Sequence, residues 1–391
     1  MTVQPATPRV SAPTAPLRPA WAGIDLGAIR ANAAVLAAMV APAELCAVVK
    51  AWGYGHGSVE TAQAALEGGA TWLAVALVEE GRQLRAAGVR APILLLSEPP
   101  PATMAEVVGS ALTPTLYTQA GLDALIKAIA DRGVKHPVPV HVKVDTGMHR
   151  VGATPDDAVL LARQVAAYPA LDLQGFWTHL AVADEPEAPD TVRQLAAFVT
   201  AVERLAGFGI TPPVLHAANS AGSLVHPTSR FDMVRCGIAL YGLAPAASLV
   251  DLGSCRRLQP ALSLQAHVSF VKQVEAGERL SYGLRYRLPT RSIVATIPLG
   301  YADGVTRLLS ATGGQVLIGG RRYPIAGTVT MDQLLVDCGP DAPVAVGDVA
   351  VLLGRQGDQE ITAWEWAERV GTIAYEVVCG VSARVPRIYR R

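Results

Sequence analysis

Leu45-Cys46-Ala47-Val48-Val49-Lys50-Ala51-Trp52-Gly53-Tyr54-Gly55-His56-Gly57 is the stretch on which the fold turns. An apolar run ends on a lysine, and a glycine-rich turn follows with Tyr54 inside it. Such a run, closed by such a turn, reads as a strand buried in a parallel sheet. Lys50 then stands at the carboxyl end of that strand, where α/β barrels and open α/β sheets place their chemistry. A desolvated lysine there loses its proton readily and can form a Schiff base with an aldehyde cofactor. A lysine can equally close a strand and carry its charge out to water. The stretch alone leaves both readings open.

Working outward, the chain alternates. Apolar runs at 45–50, 72–76, 92–97, 113–117, 138–144, 173–179, 214–217 and 233–238 read as eight strands, and helical spacing fills 58–68, 78–88, 119–132, 155–167 and 189–208. Eight β/α repeats over roughly 200 residues fit an eight-stranded α/β barrel of the TIM type. An open doubly wound sheet is the alternative, weakened because no glycine-rich dinucleotide fingerprint follows the first strand. Ahead of the barrel, 21–25 reads as a short strand and 26–39 as a helix. Residues 1–19 carry Pro5, Pro8, Pro13, Pro16 and Pro19 and read as a disordered tail.

Beyond Leu258 the period changes to short alternating strands, at 262–274, 292–298, 315–318, 321–325, 330–337 and 348–353. Gly319-Gly320 between two of them signals a hairpin. Helical spacing returns only at 362–370 and 372–379. The expected organisation is therefore a tail (1–19), an α/β barrel (20–257) and a mostly β C-terminal domain (258–391).

Composition excludes several classes. Hydrophobic residues make up 51% of the 391, which supports large cores. Lys+Arg and Asp+Glu are both 33, so neither a nucleic-acid nor an anionic-membrane surface is the expected partner. Cys46, Cys236, Cys255, Cys338 and Cys379 form no C-x-x-C pair and read as small core residues of a reducing compartment, without disulfide or metal. No signal peptide and no membrane span is expected, which points to the cytoplasm.

The strand ends carry the chemistry. Besides Lys50 and Tyr54 they offer His141-Val142-Lys143-Val144-Asp145-Thr146-Gly147-Met148-His149-Arg150, Thr178-His179, His216-Ala217-Ala218-Asn219-Ser220, and Arg235 with Gly237. Polar groups at most ends of one barrel face make a constellation. The second domain adds Ser281-Tyr282-Gly283, Pro298-Leu299-Gly300-Tyr301-Ala302-Asp303-Gly304, Thr330-Met331-Asp332-Gln333, Tyr375-Glu376-Val377 and Arg384-Val385-Pro386-Arg387. Together these motifs resemble those of the bacterial alanine racemases, enzymes dependent on pyridoxal 5′-phosphate (PLP). The resemblance runs from about residue 21 to the last residue, 391, and that family's fold is a barrel followed by a β domain.

The resemblance implies roles residue by residue. Lys50 is the Schiff-base lysine and one catalytic base. Tyr54, Asn219, Ser220, the amides of Gly237 and Ile238, and Tyr375 hold the cofactor phosphate. Arg235 faces the pyridine nitrogen; because an arginine keeps its protons, that nitrogen stays unprotonated and the ring is a weaker electron sink. Tyr282 is the second base on the opposite face, supported by His179. Arg150, Met331 and Asp332 bind the substrate, and Lys143 matches a lysine that is often carbamylated in the family. It also implies alanine as substrate, D-alanine for peptidoglycan as product, and a homodimer in which Tyr282 enters the partner's site.

Without the resemblance, Tyr54 reads as a turn tyrosine on the barrel rim, His179 as a satisfied core histidine, Tyr282 as a turn residue and Arg235 as a surface ion-pair arginine. One departure stands out: Trp52-Gly53 occupies a place where the family has a small or polar pair, which puts the shape of that loop in question. Three rivals remain. A broader racemase, for serine or another amino acid, is poorly separated by sequence. A non-enzymatic PLP-binding protein of this kind lacks a β domain. A decarboxylase of the same fold type puts glutamate, not Arg235, on the ring nitrogen.

Overall fold

A computed structural model describes residues 18–391, in two compact units. One comprises 23–262, 363–380 and 389–391; the other comprises 263–362 and 381–388 with residues up to Ala22. The expected tail falls mostly on 1–17, outside the described residues. Arg18 and Pro19 have partners in the second unit. The Arg18 guanidinium binds both Asp303 carboxylate oxygens at 2.5 and 2.7 Å, and Pro19 accepts from the His267 amide at 2.8 Å.

The first unit is the barrel. Its strands are β1 (Glu44–Val48), β2 (Trp72–Val75), β3 (Ile93–Leu95), β4 (Thr115–Leu116), β5 (Val138–Lys143), β6 (Leu171–Trp177), β7 (Val214–His216) and β8 (Met233–Cys236). Pairing is parallel, in the orders β3-β2-β1-β8 and β4-β5-β6-β7. A parallel bridge between Leu94 and Thr113 joins β3 to β4. The amides of Asp232 and Arg235 donate to Leu215 and Ala218 at 3.0 Å, which closes β8 onto β7. The sheet is thus a barrel and not an open sheet.

The helices start where side chains satisfy their first amides. Asp25, Thr118, Thr154 and Asn219 each accept from an amide three residues on, and Pro155 occupies the first helical position after Thr154. Strands β1 to β3 are buried along nearly their whole length because helices cover the outside and side chains fill the inside. The two helices Ala363–Val370 and Ala374–Cys379 belong to this unit although they follow the β segment in sequence.

The second unit is built from antiparallel strands. Phe270–Val274, Ser292–Ile297 and Leu334–Asp337 form one sheet, and Gln315–Ile318, Arg321–Pro324, Val349–Gln356 and Gln359–Ile361 pair in another with the end of Leu262–His267. The single strand expected at 262–274 is two. Leu264–His267 pairs with 349–353 and Phe270–Val274 with 292–296, so the chain changes sheets at Val268-Ser269. The strand expected at 330–337 begins only at Leu334, because Thr330 closes a local turn through its amide and hydroxyl, both on the Gln333 carbonyl. Gly319 and Gly320 have φ of +58° and +75°, the two-residue hairpin geometry that favours glycine. Among the described residues no helix is long and apolar enough to cross a membrane.

Candidate active site

β1 ends at Val48, and Lys50 is the first residue of the turn beyond it. The turn has an unusual hand. Ala51, Trp52, Gly53 and Tyr54 all have positive φ, between +51° and +61°, so the chain makes one left-handed coil. Three of the four carry side chains that disfavour this conformation. Their amides and those nearby have partners: Glu80 accepts from Ala51 at 2.6 Å with one oxygen and from Ala76 and Leu77 with the other. Trp52 sits on this coil, partly exposed. The coil turns Tyr54 back into the barrel mouth, stacked 4.9 Å from Tyr241 and tilted against Tyr375 at 6.3 Å.

A cavity of about 630 Å³ opens there. It is lined by Lys50, Tyr54, Arg150, His179, Asn219, Ser220, Arg235, Gly237, Ile238 and Tyr375, ten of the expected residues, all from the first unit. Cys379 and Glu376 line it too. Cys379 is exposed at the cavity, whereas the other four cysteines are buried as expected. Tyr282, Met331 and Asp332 belong to the second unit. Tyr282 is 73% exposed and Met331 52%. The Asp332 carboxylate is taken by Arg384 at 2.6 Å.

Positive groups dominate the cavity. Burial, and then Arg150, lower the Lys50 pKa from its ordinary value, so its amine gives up the proton more readily than a free lysine does. Lys143 lies buried behind, donating to the Val151 carbonyl at 2.8 Å with its ammonium 5.0 Å from the Trp177 ring centre. Burial, then Arg235 and Arg150, bring its pKa down to about 8.

Arg235 is buried to 3% exposure and forms the hub. One terminal nitrogen donates to His216 Nδ1 at 2.9 Å. The other donates to the Thr178 and Ala217 carbonyls at 2.9 and 3.0 Å and to His179 Nδ1 at 3.1 Å. The guanidinium lies 4.4 Å from the Trp177 ring centre. Its Nε–H has no partner among the described residues, on a side chain that lines the cavity.

Because arginine only donates, His179 Nδ1 must accept and carries no proton. Burial and then Arg235 hold the His179 pKa well below the ordinary histidine value, so the ring is neutral and its proton sits on Nε2. At the other end of the cavity the Ser220 hydroxyl accepts the Gly237 amide at 2.9 Å and the Ala239 amide at 3.4 Å. A Cβ on Gly237 would lie 2.4 Å from the Tyr54 hydroxyl oxygen, so that hydroxyl approaches only because residue 237 is glycine.

Sequence reasoning gave no role to Glu80, Trp177, His141 or His216. His141 and His216 lie in the quoted strand-end motifs, but nothing local tells an inward-facing barrel histidine from any other. Glu80 lies in the helix after β2, and only the fold brings it to Ala51.

Known proteins match the chain over most of its length. The model of the alanine racemase N-terminal domain matches residues 24–245, and that of the alanine racemase C-terminal domain matches 261–389. A protein of Symbiobacterium thermophilum named alanine racemase is 47% identical over 373 residues, 95% of this chain and 97% of its own. One of Desulforamulus reducens is 45% identical, covering 95% and 99%. The alanine racemase of D-cycloserine-producing Streptomyces lavendulae superposes with a TM-score of 0.89 at 38% identity, covering 96% of this chain and 97% of that one. The Bacillus anthracis alanine racemase solved with bound L-Ala-P gives 0.88 at 38%, covering 97% and 96%.

Proposed function

Because the chain belongs to the alanine racemase family, we propose that the cavity at its barrel mouth is the reaction site and that Lys50 and Tyr282 are its two acid–base groups. The chain interconverts L-alanine and D-alanine with PLP as cofactor. The observation that carries the residue assignment is the cluster of Lys50, Arg150 and Arg235 on one cavity, with an Arg235 Nε–H that has no partner among the described residues. Cations and free donors suit a phosphorylated, anionic cofactor and a carboxylate substrate. At the far end Tyr54, Tyr375, Ser220 and the Gly237 and Ile238 amides would hold the phosphate, with Asn219 capping the short helix beside it.

PLP, when bound, withdraws electrons from the substrate and makes the hydrogen on its α-carbon removable. Lys50 would hold the cofactor in the resting protein and, once its amine is free, its lowered pKa would suit it to take or return a proton on one face of the α-carbon. Arg235 would offer the ring nitrogen only a donor and no proton to lose, which would limit how much charge drains away from the α-carbon. His179, neutral with its proton on Nε2, would donate to the phenolic oxygen of the partner subunit's Tyr282, the second base of this reading. Arg150 would take the cofactor's phenolic oxygen and the substrate carboxylate, and the Met331 amide the other carboxylate oxygen. Asp332, held by Arg384, would steady the Met331 loop rather than touch substrate.

On this reading the working form is a homodimer, with Tyr282 of the partner subunit completing each site. The D-alanine feeds cell-wall peptidoglycan from a cytoplasmic pool. Lys143 is carbamylated: its neutral nitrogen attacks the carbon of carbon dioxide, the N–C bond forms, one C–O π pair moves to oxygen and the nitrogen's proton leaves to solvent. The anion then lies among Arg150 and Arg235. A C-terminal domain over 261–389 disfavours the non-enzymatic PLP-binding alternative. The test is a panel of L-amino acids with PLP, followed by chiral product analysis. D-alanine is expected as the dominant product, and its absence would contradict the reading.

A further inference from the structure

Behind Arg235, away from the cavity, two histidines fill the middle of the barrel. Both His141 and His216 are fully buried. His141 Nδ1 lies 2.8 Å from His216 Nε2, and His216 Nδ1 lies 2.9 Å from Arg235. The His216 ring stacks on Trp177 at 5.2 Å between centres and 10° between planes.

The place of His141 is built into the backbone. On β5 and β6, Val140 pairs with Leu173 but His141 pairs with Gly175, so Gln174 is an extra residue and the ladder bulges there. A Cβ on residue 175 would come within 2.3 Å of His141 Nδ1. The bulge and the glycine together make the slot that the imidazole occupies.

Proton positions follow from the donors. Arg235 cannot accept, so His216 Nδ1 is bare. Burial keeps His216 well below its ordinary pKa and brings His141 to about 3, so both rings are neutral. A neutral His216 with a bare Nδ1 carries its proton on Nε2, and His141 Nδ1 must accept it. The chain of donors therefore runs one way, from Arg235 to His216 to His141.

We propose that His141 is a positioning residue of the racemase: by accepting the His216 Nε2 proton it holds the His216 imidazole with Nδ1 toward Arg235, and so steadies the guanidinium at the cavity. Without His141 the buried Nε2–H loses its acceptor. The imidazole is then free to turn, and its hold on the guanidinium loosens. This rests on the reading of Arg235 as partner of the cofactor ring nitrogen, but its first consequence, the hydrogen bond from His216 Nε2–H to His141, does not.

The test uses cofactor-free protein carrying ¹⁵N-histidine, with nitrogen–proton correlation spectra assigned by a His216→Gln variant. Native His216 is expected to be protonated on Nε2 alone. In His141→Leu the Nε2 proton should lose its hydrogen-bonded shift and exchange faster with water, and after PLP loading racemisation should fall by about tenfold or more with a larger share of transamination, in the range found for other outer-sphere orienting partners. His141→Asn places an oxygen where Nδ1 stands and should restore both the hydrogen-bonded proton shift and the rate. A native His216 with its proton on Nδ1 overturns the proposal. So does a folded His141→Leu protein that keeps the hydrogen-bonded Nε2 proton shift and racemises at the native rate. If His141→Leu does not fold, the native spectrum and His141→Asn decide, and Nδ1 protonation in the latter also overturns it. A protein with the expected tautomer but no racemisation would count against the function, not against this relay.

Discussion

Lys143 offers a prediction whose size can be worked through. Its pKa of about 8, against 10.5 for the free side chain, means that roughly one amine in ten is neutral at pH 7 rather than about one in three thousand. Carbon dioxide reacts with the neutral amine, so the site is primed some 300-fold over a surface lysine. The same shift of 2.5 units costs the fold roughly 3 kcal/mol while the residue remains an amine. The sign is fixed by proton counts. Between pH 8 and 10.5 the unfolded chain binds the extra proton, so stability rises with pH across that window and the full penalty is present below it. A carbamate removes the penalty and supplies an anion among Arg150 and Arg235. Protein in ¹³C-bicarbonate should therefore show one slowly exchanging carbamate resonance, missing in Lys143→Gln, and should melt several degrees higher than protein kept free of carbon dioxide. Lys143→Gln should also raise the KM for alanine more than it lowers kcat, since Arg150 loses its anionic neighbour. No carbamate signal up to pH 8.5, together with an unchanged KM in the variant, would refute the reasoning.

Three further outcomes follow from the site. Lys50→Ala should lose the cofactor that borohydride fixes to the chain and nearly all racemisation; a retained fixed cofactor in peptide maps would reassign the lysine. Arg235→Glu should racemise more slowly and leak more transamination product, because a carboxylate can leave a proton on the ring nitrogen; an unchanged product ratio would remove that role. It should also unfold at lower temperature, since four acceptors now within 3.1 Å of the guanidinium lose their donor, at about 1–3 kcal/mol for each left unsatisfied. Gly237→Ala, which sets a Cβ 2.4 Å from the Tyr54 hydroxyl oxygen, should weaken PLP affinity by about tenfold or more while sparing thermal stability of the cofactor-free protein; undiminished affinity would show that Tyr54 and Gly237 do not share the phosphate site.

The barrel was legible because its signal is local and strong. Val138–Lys143 and Trp72–Val75 are short apolar runs, and the helices at 155–167 and 119–132 start at Thr154 and Thr118 caps that a sequence displays. The hairpin at Gly319-Gly320 was legible for the same reason. The left-handed coil at 51–54 was not. Ala51 and Trp52 carry no sign of positive φ; the conformation is held by Glu80, twenty-nine residues away from Ala51. The sheet change at Val268-Ser269 was hidden inside one alternating run. Lys50, Tyr54 and Arg235 were found through a motif, but the hub around Arg235 draws on β5, β6, β7 and β8 at once. Which way His141 and His216 face, and which nitrogen of each is bare, exists only once the barrel has closed.

The central claim is that two bases from two subunits act on opposite faces of one substrate. Lys50→Ala subunits and Tyr282→Phe subunits, each nearly inactive alone, can be mixed in mild denaturant, refolded and assayed for alanine racemisation, with a tag on one partner to isolate mixed dimers. In a mixed dimer one site then inherits both defects and the other inherits neither. Racemisation should return, up to about half the native value per mixed dimer. Isolated mixed dimers that stay as inactive as their parents would place Lys50 and Tyr282 in the same chain's site and contradict the account.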